Sequence, residues 1–515
     1  MTTSKKNSQS PPGKGAKAAS FGAVHVFLGL VVSTIPVLVA WLMISSNPGV
    51  ELLDYTPQWS DEVYNWHQVA TFRAVGFDGG YYTSDERPAP VSFIHFYAHG
   101  PVYPIVMGMM GRLLGWEYYS APILNLVLVT LAAFLFVLMT RPNISQLLLL
   151  GGVLATCWPL HLYMLTDMRL AFFTAMAIVL AAFFCRTLED PERPSKAFLF
   201  VFAAVLVLAT VSKLTWSFLF FPYFLFIRKR VGMSVPVAWL TSLALVGASF
   251  FFYNQVASPY SNVASGLLQE FGRSFSHGVV GLWDHAWVSL EHFFSSDNRY
   301  LWLMLRLQML IATGWAAFLL WRRGDDSRDW RESAIVLATS GCLVGLTILL
   351  YDLFAWRDFR LFGPAMLLST LVFIARKRVF LVSLLIAGNL AVIPDFLAAH
   401  EQVFFKDRFS KETLQLEVFS KQISPIVQYD SEKGAWENTI LVPQFVAENP
   451  LLISVPEGIG ISWYHSGARL PRVKSRYAIL DLQSYHYLRQ RSQLRFVKRT
   501  ILGDLYLNQT PATGP

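Results

Sequence analysis

The sequence predicts an all-α polytopic membrane protein that carries a small soluble α/β domain at its C-terminal end. Of its 515 residues, 54% are hydrophobic and 15% are charged, whereas about one quarter of a soluble chain is charged. The mean hydropathy of +0.41 agrees with this composition. Beyond residue 399 the character changes, because short strand-like runs alternate there with polar, helix-permitting segments. These observations together predict both parts of the fold.

About eleven apolar stretches are long enough to cross a bilayer as helices. They lie near 22–44, 119–140, 145–164, 168–186, 197–213, 215–228, 234–253, 300–321, 333–352, 360–376 and 379–396. Only a tight turn around Lys213 separates the fifth stretch from the sixth, so that pair is the weakest part of the assignment.

Lysines and arginines are concentrated in alternate loops between these stretches. They are Lys5, Lys6, Lys14, Lys17, Arg141, Arg186, Arg193, Lys196, Arg228, Lys229, Arg230, Arg322, Arg323, Arg328, Arg331, Arg376, Lys377 and Arg378. The positive-inside rule places these loops in the cytoplasm of a multi-pass inner (plasma) membrane protein. The loops at 45–118 and 254–299 and the C-terminal tail are then extracytoplasmic, and an odd number of spans agrees with this.

Three regions follow from this pattern. Residues 1–20 form a polar cytoplasmic tail that we expect to be disordered, residues 21–398 form the transmembrane domain, and residues 399–515 form the extracytoplasmic α/β domain. We expect the first span to be an uncleaved anchor. The net charge of +8 belongs mostly to the loops of one membrane side, so no nucleic acid is expected as a partner. The cysteines lie in apolar spans, and no metal-ligand spacing or P-loop is evident.

The first outer loop begins with Trp59-Ser60-Asp61-Glu62, which predicts the capped start of an amphipathic helix. Its polar stripe contains Asp61, Asn65 and Gln68, and its apolar stripe Val63, Trp66 and Ala70. Such a helix would lie flat on the membrane with its polar stripe facing a cleft. The alternative is that both acids only cap a surface helix. Residues 105–116 predict a second interfacial helix, since this stretch is short for a crossing.

Several charged residues lie at the predicted outer membrane edge, where they are costly unless they are paired or functional. They are Asp167, Arg169, Lys213, Asp352, Arg357, Asp358 and Arg360. Each could be part of a local ion pair. Together with Asp61, however, they place acids and bases on one face of the membrane, whereas the inner face carries simple Lys/Arg flanks. This asymmetry indicates a site at the outer interface.

These motifs resemble those of one family. The acidic pair Asp61-Glu62 after the first span, the element "HGPVYPIVMG" and an Asp at the third-to-fourth turn are similar to features of polyprenyl-phosphate-sugar glycosyltransferases of the GT-C fold. Its nearest members are the protein O-mannosyltransferases, the lipid A aminoarabinose transferase and rhizobial lipopolysaccharide transferases. "VLATVSKLTW" resembles the family's Gly-x-x-x-Thr-Lys, and "WRDFRLFGPAMLL" its Arg-Tyr-x-x-Pro, with departures at Phe359 and Phe362. The resemblance covers roughly residues 20–400 and leaves the C-terminal domain out.

The resemblance implies an inverting transferase that moves a sugar from a polyprenyl-phosphate donor to a hydroxyl of a lipid, glycan or protein acceptor. Asp61 would then be the general base, with Glu62 ranked below it, and Asp167 would orient the acceptor or support the site. Lys213, His99, Arg357 and Arg360 would bind the donor phosphate. The expected partners include membrane lipids, and a divalent metal is left open as a cofactor.

Two other classes of protein remain as alternatives. A transporter would carry its charges near the midplane on broken, repeated helices, but no repeat is visible and the charges lie at one rim. A non-catalytic lipid-binding membrane protein could keep the fold and lose the site. The presence of Asp61, Asp167 and Lys213 argues against that alternative.

Overall fold

The computed structural model describes residues 22–58, 60–79, 82–91, 96, 100–189, 194–257, 263–295, 300–322, 327–343, 345, 362–400, 413–447, 449–465 and 472–512. The predicted disordered tail at 1–20 lies outside these residues.

The transmembrane part is built from helices. In chain order they are α1 (Ala23–Ser33), α2 (Ile35–Ser45), α3 (Ser60–Val75), α4 (Val102–Leu114), α5 (Ser120–Thr140), α6 (Ile144–Thr156), α7 (Trp158–Met164), α8 (Leu170–Glu189), α9 (Lys196–Ser212), α10 (Phe220–Ile227), α11 (Val235–Val256), α12 (Val263–Arg273), α13 (Phe275–Ser295), α14 (Tyr300–Trp321), α15 (Ser327–Val336), α16 (Gly363–Ala375), α17 (Val379–Ala391) and α18 (Ile393–His400).

Within the described residues, five helical segments are long and apolar enough to cross a membrane, or up to seven if each of two bent pairs is one span. The five are α1 with α2, α5, α8, α11 and α14, and the bent pairs are α6 with α7 and α17 with α18. The protein is therefore a multi-pass membrane protein. The predicted spans at 197–213, 215–228 and 360–376 correspond to shorter apolar helices. The span predicted at 333–352 extends beyond the described residues.

Both bends coincide with a proline near the start of the second helix. Pro159 follows the break between α6 and α7, where the axes differ by 52°, and Pro394 follows the break between α17 and α18, where they differ by 48°. Proline supplies no backbone N–H and clashes with the preceding turn, which accounts for both bends. At the first bend the Nε2 of His161 lies 2.8 Å from the carbonyl oxygen of Leu154.

Helix α8 is the centre of the transmembrane part, with α5, α7, α9 and α16 packed around it. Its buried residues include Ala171, Ala175, Ala177, Ala181 and Ala182. Small side chains let helices approach closely where lipid supplies no hydrophobic driving force. This packing fixes the turn before α8, which carries Asp167 and Arg169.

An ion-pair cluster joins α15 to the segment that follows α16. Arg376 and Arg378 both bond the buried carboxylate of Glu332, with the shortest contact of 2.8 Å from Arg378, and Arg378 reaches Asp329 at 2.6 Å. Two arginines that the sequence indicated only as a positive flank are therefore parts of a compact network with two carboxylates.

The C-terminal region forms a small α/β domain, as predicted. Its helices are α19 (Thr413–Ile423), α20 (Gln444–Ala447) and α21 (Leu482–Leu488). The strands of its sheet are β1 (Thr83–Ser84), β2 (Thr439–Pro443), β3 (Gly460–Tyr464), β4 (Tyr477–Leu480), β5 (Leu494–Thr500) and β6 (Gly503–Asn508). They are arranged in the order β1-β3-β2-β4-β6-β5, with β1, β3, β2 and β4 parallel and β6 antiparallel to β4 and β5.

Strand β1 belongs to the segment between α3 and α4, which therefore supplies an edge of the C-terminal sheet. Thr83 pairs with Ser462, and their hydroxyl oxygens lie 2.7 Å apart. Next to β1, the buried carboxylate of Glu86 accepts hydrogen bonds from the backbone N–H groups of Lys474 and Ser475 at 2.7 and 2.9 Å. Burial raises the pKa of Glu86, although these bonds oppose the effect. This segment and the domain thus fold as one unit.

Candidate functional site

Helix α3 carries the two predicted acids, Asp61 and Glu62, in its first turn. The prediction was that its apolar stripe rests on the membrane while its polar stripe faces a cleft. Instead, residues of both stripes pack against protein, because every residue from Glu62 to Phe72 is buried. On one side the indole of Trp66 donates to the Glu117 carbonyl oxygen at 3.2 Å. On another side His67 Nε2 lies 2.9 Å from the Val455 carbonyl oxygen. The C-terminal domain covers the helix that would otherwise have been exposed.

Both carboxylate oxygens of Glu62 accept hydrogen bonds, and the residue is fully buried. The hydroxyl of Tyr55 donates to Oε1 at 3.0 Å, and the backbone N–H of Gln58 donates to Oε2 at 3.1 Å. The Tyr55 hydroxyl also accepts from the backbone N–H of Asp167 at 2.7 Å. Glu62 therefore connects the start of α3 to the turn before α8.

The side-chain amide of Asn65, one turn after Asp61, holds the same turn from another direction. Its Nδ2 donates to the Asp167 carbonyl oxygen at 2.9 Å, and its Oδ1 accepts from Arg169 Nε at 2.6 Å. Asn125 on α5 donates to the Thr166 carbonyl oxygen at 2.8 Å. The turn is thus fixed by amides that bind its backbone, which leaves its side chains in defined positions.

The carboxyl group of Asp167 is completely buried. The hydroxyl of Tyr103 on α4 donates to its Oδ1, while its Oδ2 has no hydrogen-bond partner among the described residues. Burial raises the pKa of Asp167 well above its usual range and Glu62 adds to the effect, although the Tyr103 hydrogen bond and the Arg169 charge oppose it. A buried carboxyl oxygen without a partner is costly in a folded protein, which marks this atom as a candidate contact for a ligand.

Asp61 differs from both of these acids because its side chain is partly exposed. Burial lowers the pKa of the Arg169 guanidinium, and the carboxylates of Asp61 and Asp167 are among the groups that oppose this effect. Asp61 is therefore electrostatically coupled to the buried network and is still open to solvent. Of the three predicted acids, it is the one whose side chain is partly exposed to solvent.

Gly100 lies where three elements meet. Its carbonyl oxygen accepts from Arg169 Nη1 at 3.3 Å, and its φ of +78° favours glycine. A Cβ added there would lie 3.2 Å from Cε2 of Tyr253 on α11 and 3.3 Å from the carbonyl oxygen of Val211 on α9. The segment before α4, the end of α9 and the end of α11 are thus close together beside Arg169.

Lys213 follows the last residue of α9, with φ −154° and ψ 113°. Its side chain is partly buried, and Nζ lies 5.3 Å from the centre of the Phe173 ring on the first turn of α8. This distance permits a cation–π interaction. The structure therefore places the Lys213 ammonium at the same end of α8 as Asp167 and Arg169.

An apolar groove of about 480 Å³ opens between α4 and α9. Its lining includes Val102 at the start of α4 on one side, and Ala203, Val207 and Val211 of α9 on the other. Val211 is also the residue whose carbonyl oxygen approaches Gly100. The groove consequently ends two residues from Lys213.

Three predicted phosphate-binding residues, His99, Arg357 and Arg360, lie outside the described residues, as do Asp352 and Asp358. In the described ranges, no three His, Cys, Asp or Glu side chains are grouped so that they could hold a metal ion.

Sequence reasoning missed the hydroxyl and amide groups of the site: Tyr55, Tyr103, Asn125 and Tyr253. Asn125 could have been recognised from the sequence, because a polar residue inside an otherwise apolar span costs free energy unless it is hydrogen-bonded or functional. The tyrosines gave no such signal, since tyrosine is ordinary at membrane interfaces.

No family model matches the chain, and no match was found among curated proteins. Two crystal structures of ArnT from Cupriavidus metallidurans are similar to it. The apo structure has a TM-score of 0.43 and 11% identity, with 96% of this chain and 98% of that chain covered. The structure bound to undecaprenyl phosphate has a TM-score of 0.41 and 11% identity, with coverage of 97% and 100%.

Proposed function

We propose that the protein is an integral membrane glycosyltransferase of the GT-C type that moves a sugar from a polyprenyl-phosphate donor to an acceptor hydroxyl. The observation that carries the proposal is the juxtaposition at one end of α8. A partly exposed carboxylate, a buried carboxyl–guanidinium network and a lysine adjoin an apolar groove there. A lipid-linked sugar phosphate needs each of these features.

Asp61 is the proposed general base. A hydroxyl is a weak nucleophile, and a positioned carboxylate that accepts its proton accelerates attack. Asp61 is partly exposed to solvent, whereas Glu62 is completely buried and binds Tyr55 and the Gln58 backbone. In this proposal Glu62 positions the first turn of α3. Asp167 orients the acceptor or supports the site, and its Oδ2 has no hydrogen-bond partner among the described residues.

Lys213 is the proposed ligand of the donor phosphate, and it is helped by Arg169 at the same helix end. A phosphate leaving group needs cations more than it needs a proton donor. The resemblance adds His99, Arg357 and Arg360 to this group. The groove between α4 and α9 would take the first units of the polyprenyl chain, because it is apolar and ends beside Lys213.

The reaction that fits these roles is a single inverting displacement at the anomeric carbon. The acceptor oxygen forms a bond to that carbon while the bond to the phosphate oxygen breaks, and the hydroxyl proton passes to Asp61. The polyprenyl phosphate leaves with its electron pair. The acceptor is a lipid, a glycan or a protein on the extracytoplasmic face, as the distribution of Lys and Arg predicts.

The test is Asp61→Asn in cells that lack the endogenous protein. Their lipids and glycans are compared by mass spectrometry with those of cells that carry the wild-type protein, which identifies the product. Asn keeps the size of Asp but cannot accept a proton, so we expect the product to form about 10²- to 10⁴-fold more slowly. Purified Asp61→Asn protein should still bind polyprenyl phosphate.

Glu62→Gln is the matched control on the neighbouring residue. It keeps an acceptor for Tyr55 but replaces the oxygen that accepts from Gln58, so we expect a lower stability with turnover reduced less than in Asp61→Asn. Wild-type turnover in Asp61→Asn together with an inactive, folded Glu62→Gln would make Glu62 the base. Wild-type turnover in both would reject the catalytic role of this turn.

The bent pairs α6–α7 and α17–α18 are the features that a transporter would share. Each bend has a local cause in a proline, and Asp61, Asp167 and Lys213 lie at helix ends. Uptake or efflux that persists in Asp61→Asn, with no missing glycan in the deletion strain, would support the transporter instead.

A further inference from the structure

Helix α13 has an apolar sector that occupies nearly half of its circumference. At 100° per residue, one arc of about 160° collects Phe275, Val279, Val280, Leu282, Trp283, Ala286, Trp287, Leu290 and Phe294. The rest of the circumference carries His277, Asp284, Val288 and Glu291 together with Gly278 and Gly281. This division is that of an amphipathic helix.

The apolar sector is exposed, which is the reverse of the usual arrangement in a folded domain. Trp283 is 67% exposed, Trp287 60% and Val280 58%. The neighbouring helix α12 packs on the other side, because a Cβ added at Gly278 would lie 2.2 Å from Cδ1 of Phe271. The two glycines thus let α12 approach, while the tryptophans face away from it.

The chain itself restricts where this sector can be. Only residues 296–299 separate α13 from α14, which is long and apolar enough to cross the membrane. Five Cα steps span at most about 18 Å, so the end of α13 lies within that distance of the first turn of α14. Helix α12 precedes α13, and residues 257–262 connect the start of α12 to α11, a second candidate span.

A large exposed apolar patch next to the membrane indicates a surface that contacts lipid or another protein. Tryptophan is the side chain that is most characteristic of the lipid headgroup level, where its ring is apolar and its N–H remains hydrated. The charged residues Asp284 and Glu291 on the other arc prevent α13 from being a span but suit a helix that lies along the surface. A bilayer interface is therefore favoured over a second copy of the chain.

We propose that α13 lies in the lipid interface on the side of the 254–299 loop, with Trp283 and Trp287 inserted at headgroup depth. The helix is 21 residues long, so about 31 Å of it would contact the lipid. This surface is separate from the proposed catalytic site and stands whether or not that site transfers a sugar.

The test compares two adjacent residues whose side chains point about 100° apart on the helix, one inside the apolar sector and one outside it. Trp283→Cys and Asp284→Cys are each labelled with the fluorophore NBD and reconstituted into phosphatidylcholine vesicles with or without brominated acyl chains. We expect the label at position 283 to be blue-shifted and quenched by the brominated chains. The label at position 284 should remain unshifted and should be quenched by aqueous iodide. Wild-type protein, with Cys157, Cys185 and Cys342, gives the labelling background.

Two outcomes would overturn the proposal. One is iodide quenching at both positions without an effect of the brominated lipids, which would leave the sector in water. The other is crosslinking between copies at position 283, which would make it a self-association surface. Both variants must elute from size-exclusion chromatography as folded protein. If Trp283→Cys fails this requirement, Val280→Cys provides a second labelling position on the same sector.

Discussion

Neighbouring acids on α3 have different environments because successive residues point about 100° apart on a helix. Asp61 is partly exposed, whereas Glu62 points into the protein and meets Tyr55. The sequence alone could not show which of the two acids is exposed, since both suit the first turn of a helix equally well. What separates them is the position of Tyr55 and of the Asp167 backbone, which is a tertiary property.

Lys213→Ala should weaken the binding of polyprenyl phosphate. The loss of one charge-assisted hydrogen bond costs about 1.5–3 kcal/mol, so the dissociation constant should rise about 10- to 100-fold. Native mass spectrometry or scintillation proximity on the purified protein measures it without knowledge of the sugar. Lys213→Arg, which keeps the charge, should lose less. An unchanged dissociation constant in a folded Lys213→Ala protein would remove this residue from the phosphate site.

His67 should make the stability depend on pH. Burial lowers its pKa from 6.5 to about 4, although hydrogen bonds to the backbone carbonyls of Val455 and Pro456 oppose the shift. The unfolded chain therefore binds a proton first as the pH falls. The stability that the neutral form contributes is complete above pH 6.5 and is lost as the pH falls towards 4, by roughly 3 kcal/mol in total.

The measurement for His67 is the unfolding temperature in detergent between pH 7.5 and 4.5, compared with that of His67→Gln. Gln removes the titration, so its unfolding temperature should fall less over this interval, even if it starts lower. Parallel curves for the two proteins would show that His67 does not carry the dependence. Other groups titrate in both proteins, and the difference between the curves cancels them.

At the scale of elements, α3 is positioned by close contact with α4. A Cβ added at Gly108 on α4 would lie 2.7 Å from Cδ1 of Phe72 and 3.3 Å from the carbonyl oxygen of Val69. The second distance involves backbone, which cannot move without shifting the helix. Because α3 carries Asp61 and Asn65, this contact connects the packing of two helices to the geometry of the site.

Gly108→Ala should therefore destabilise the protein and reduce turnover. Overpacking of this kind costs about 1–3 kcal/mol, and a displaced α3 would move Asp61 relative to Arg169. Thermal unfolding and product formation measure the two effects. Gly247→Ala on α11 is the matched control, because the added Cβ would meet no atom within 4 Å among the described residues beyond its own stretch of helix. That variant should be neutral or gain up to about 1 kcal/mol from helix propensity. Equal behaviour of the two variants would contradict the packing argument.

For the whole molecule, the sequence predicted the helices better than it predicted their surroundings. Long apolar stretches such as 120–140 are helices for reasons that lie in the stretch itself. Strand β1 could not be predicted, because two residues, Thr83 and Ser84, carry no periodicity and pair with a strand almost 380 residues later. The C-terminal domain also contributes to the burial of α3, through the contact of His67 with Val455, so part of that burial depends on an equally distant segment.

The residues of the candidate site also differ in how well the sequence alone reveals them. Asp61, Asp167 and Lys213 were recognisable because charge at a membrane edge is rare and costly. Tyr55, Tyr103 and Tyr253 were not, since only their contacts with Asp167 and Gly100 give them a role. Residue types with a high cost of burial are therefore visible in a single sequence, and the groups that compensate for that cost become visible only in the fold.

The orientation of the whole molecule is predicted by its Lys and Arg residues. Glu432 is exposed in the C-terminal domain, and Lys229 is exposed after α10. Cysteines placed at these two positions report opposite sides of the membrane. In intact cells or right-side-out vesicles, Glu432→Cys should react with a membrane-impermeant maleimide, whereas Lys229→Cys should react only after permeabilisation.

The orientation of the protein also determines on which side of the membrane the acids of α3 lie. Because β1 pairs with β3 and α3 packs on the same domain, the acids of α3 must be on the side where Glu432 reacts. A reactive Lys229→Cys with a protected Glu432→Cys would invert the protein and place Asp61 in the cytoplasm. The donor would then have to present its sugar on the inner leaflet, and the proposed extracytoplasmic acceptor would be excluded. Labelling of both positions before permeabilisation would indicate leaky vesicles. Labelling of a cysteine in a separate cytoplasmic protein, measured in the same sample, would detect such leakage.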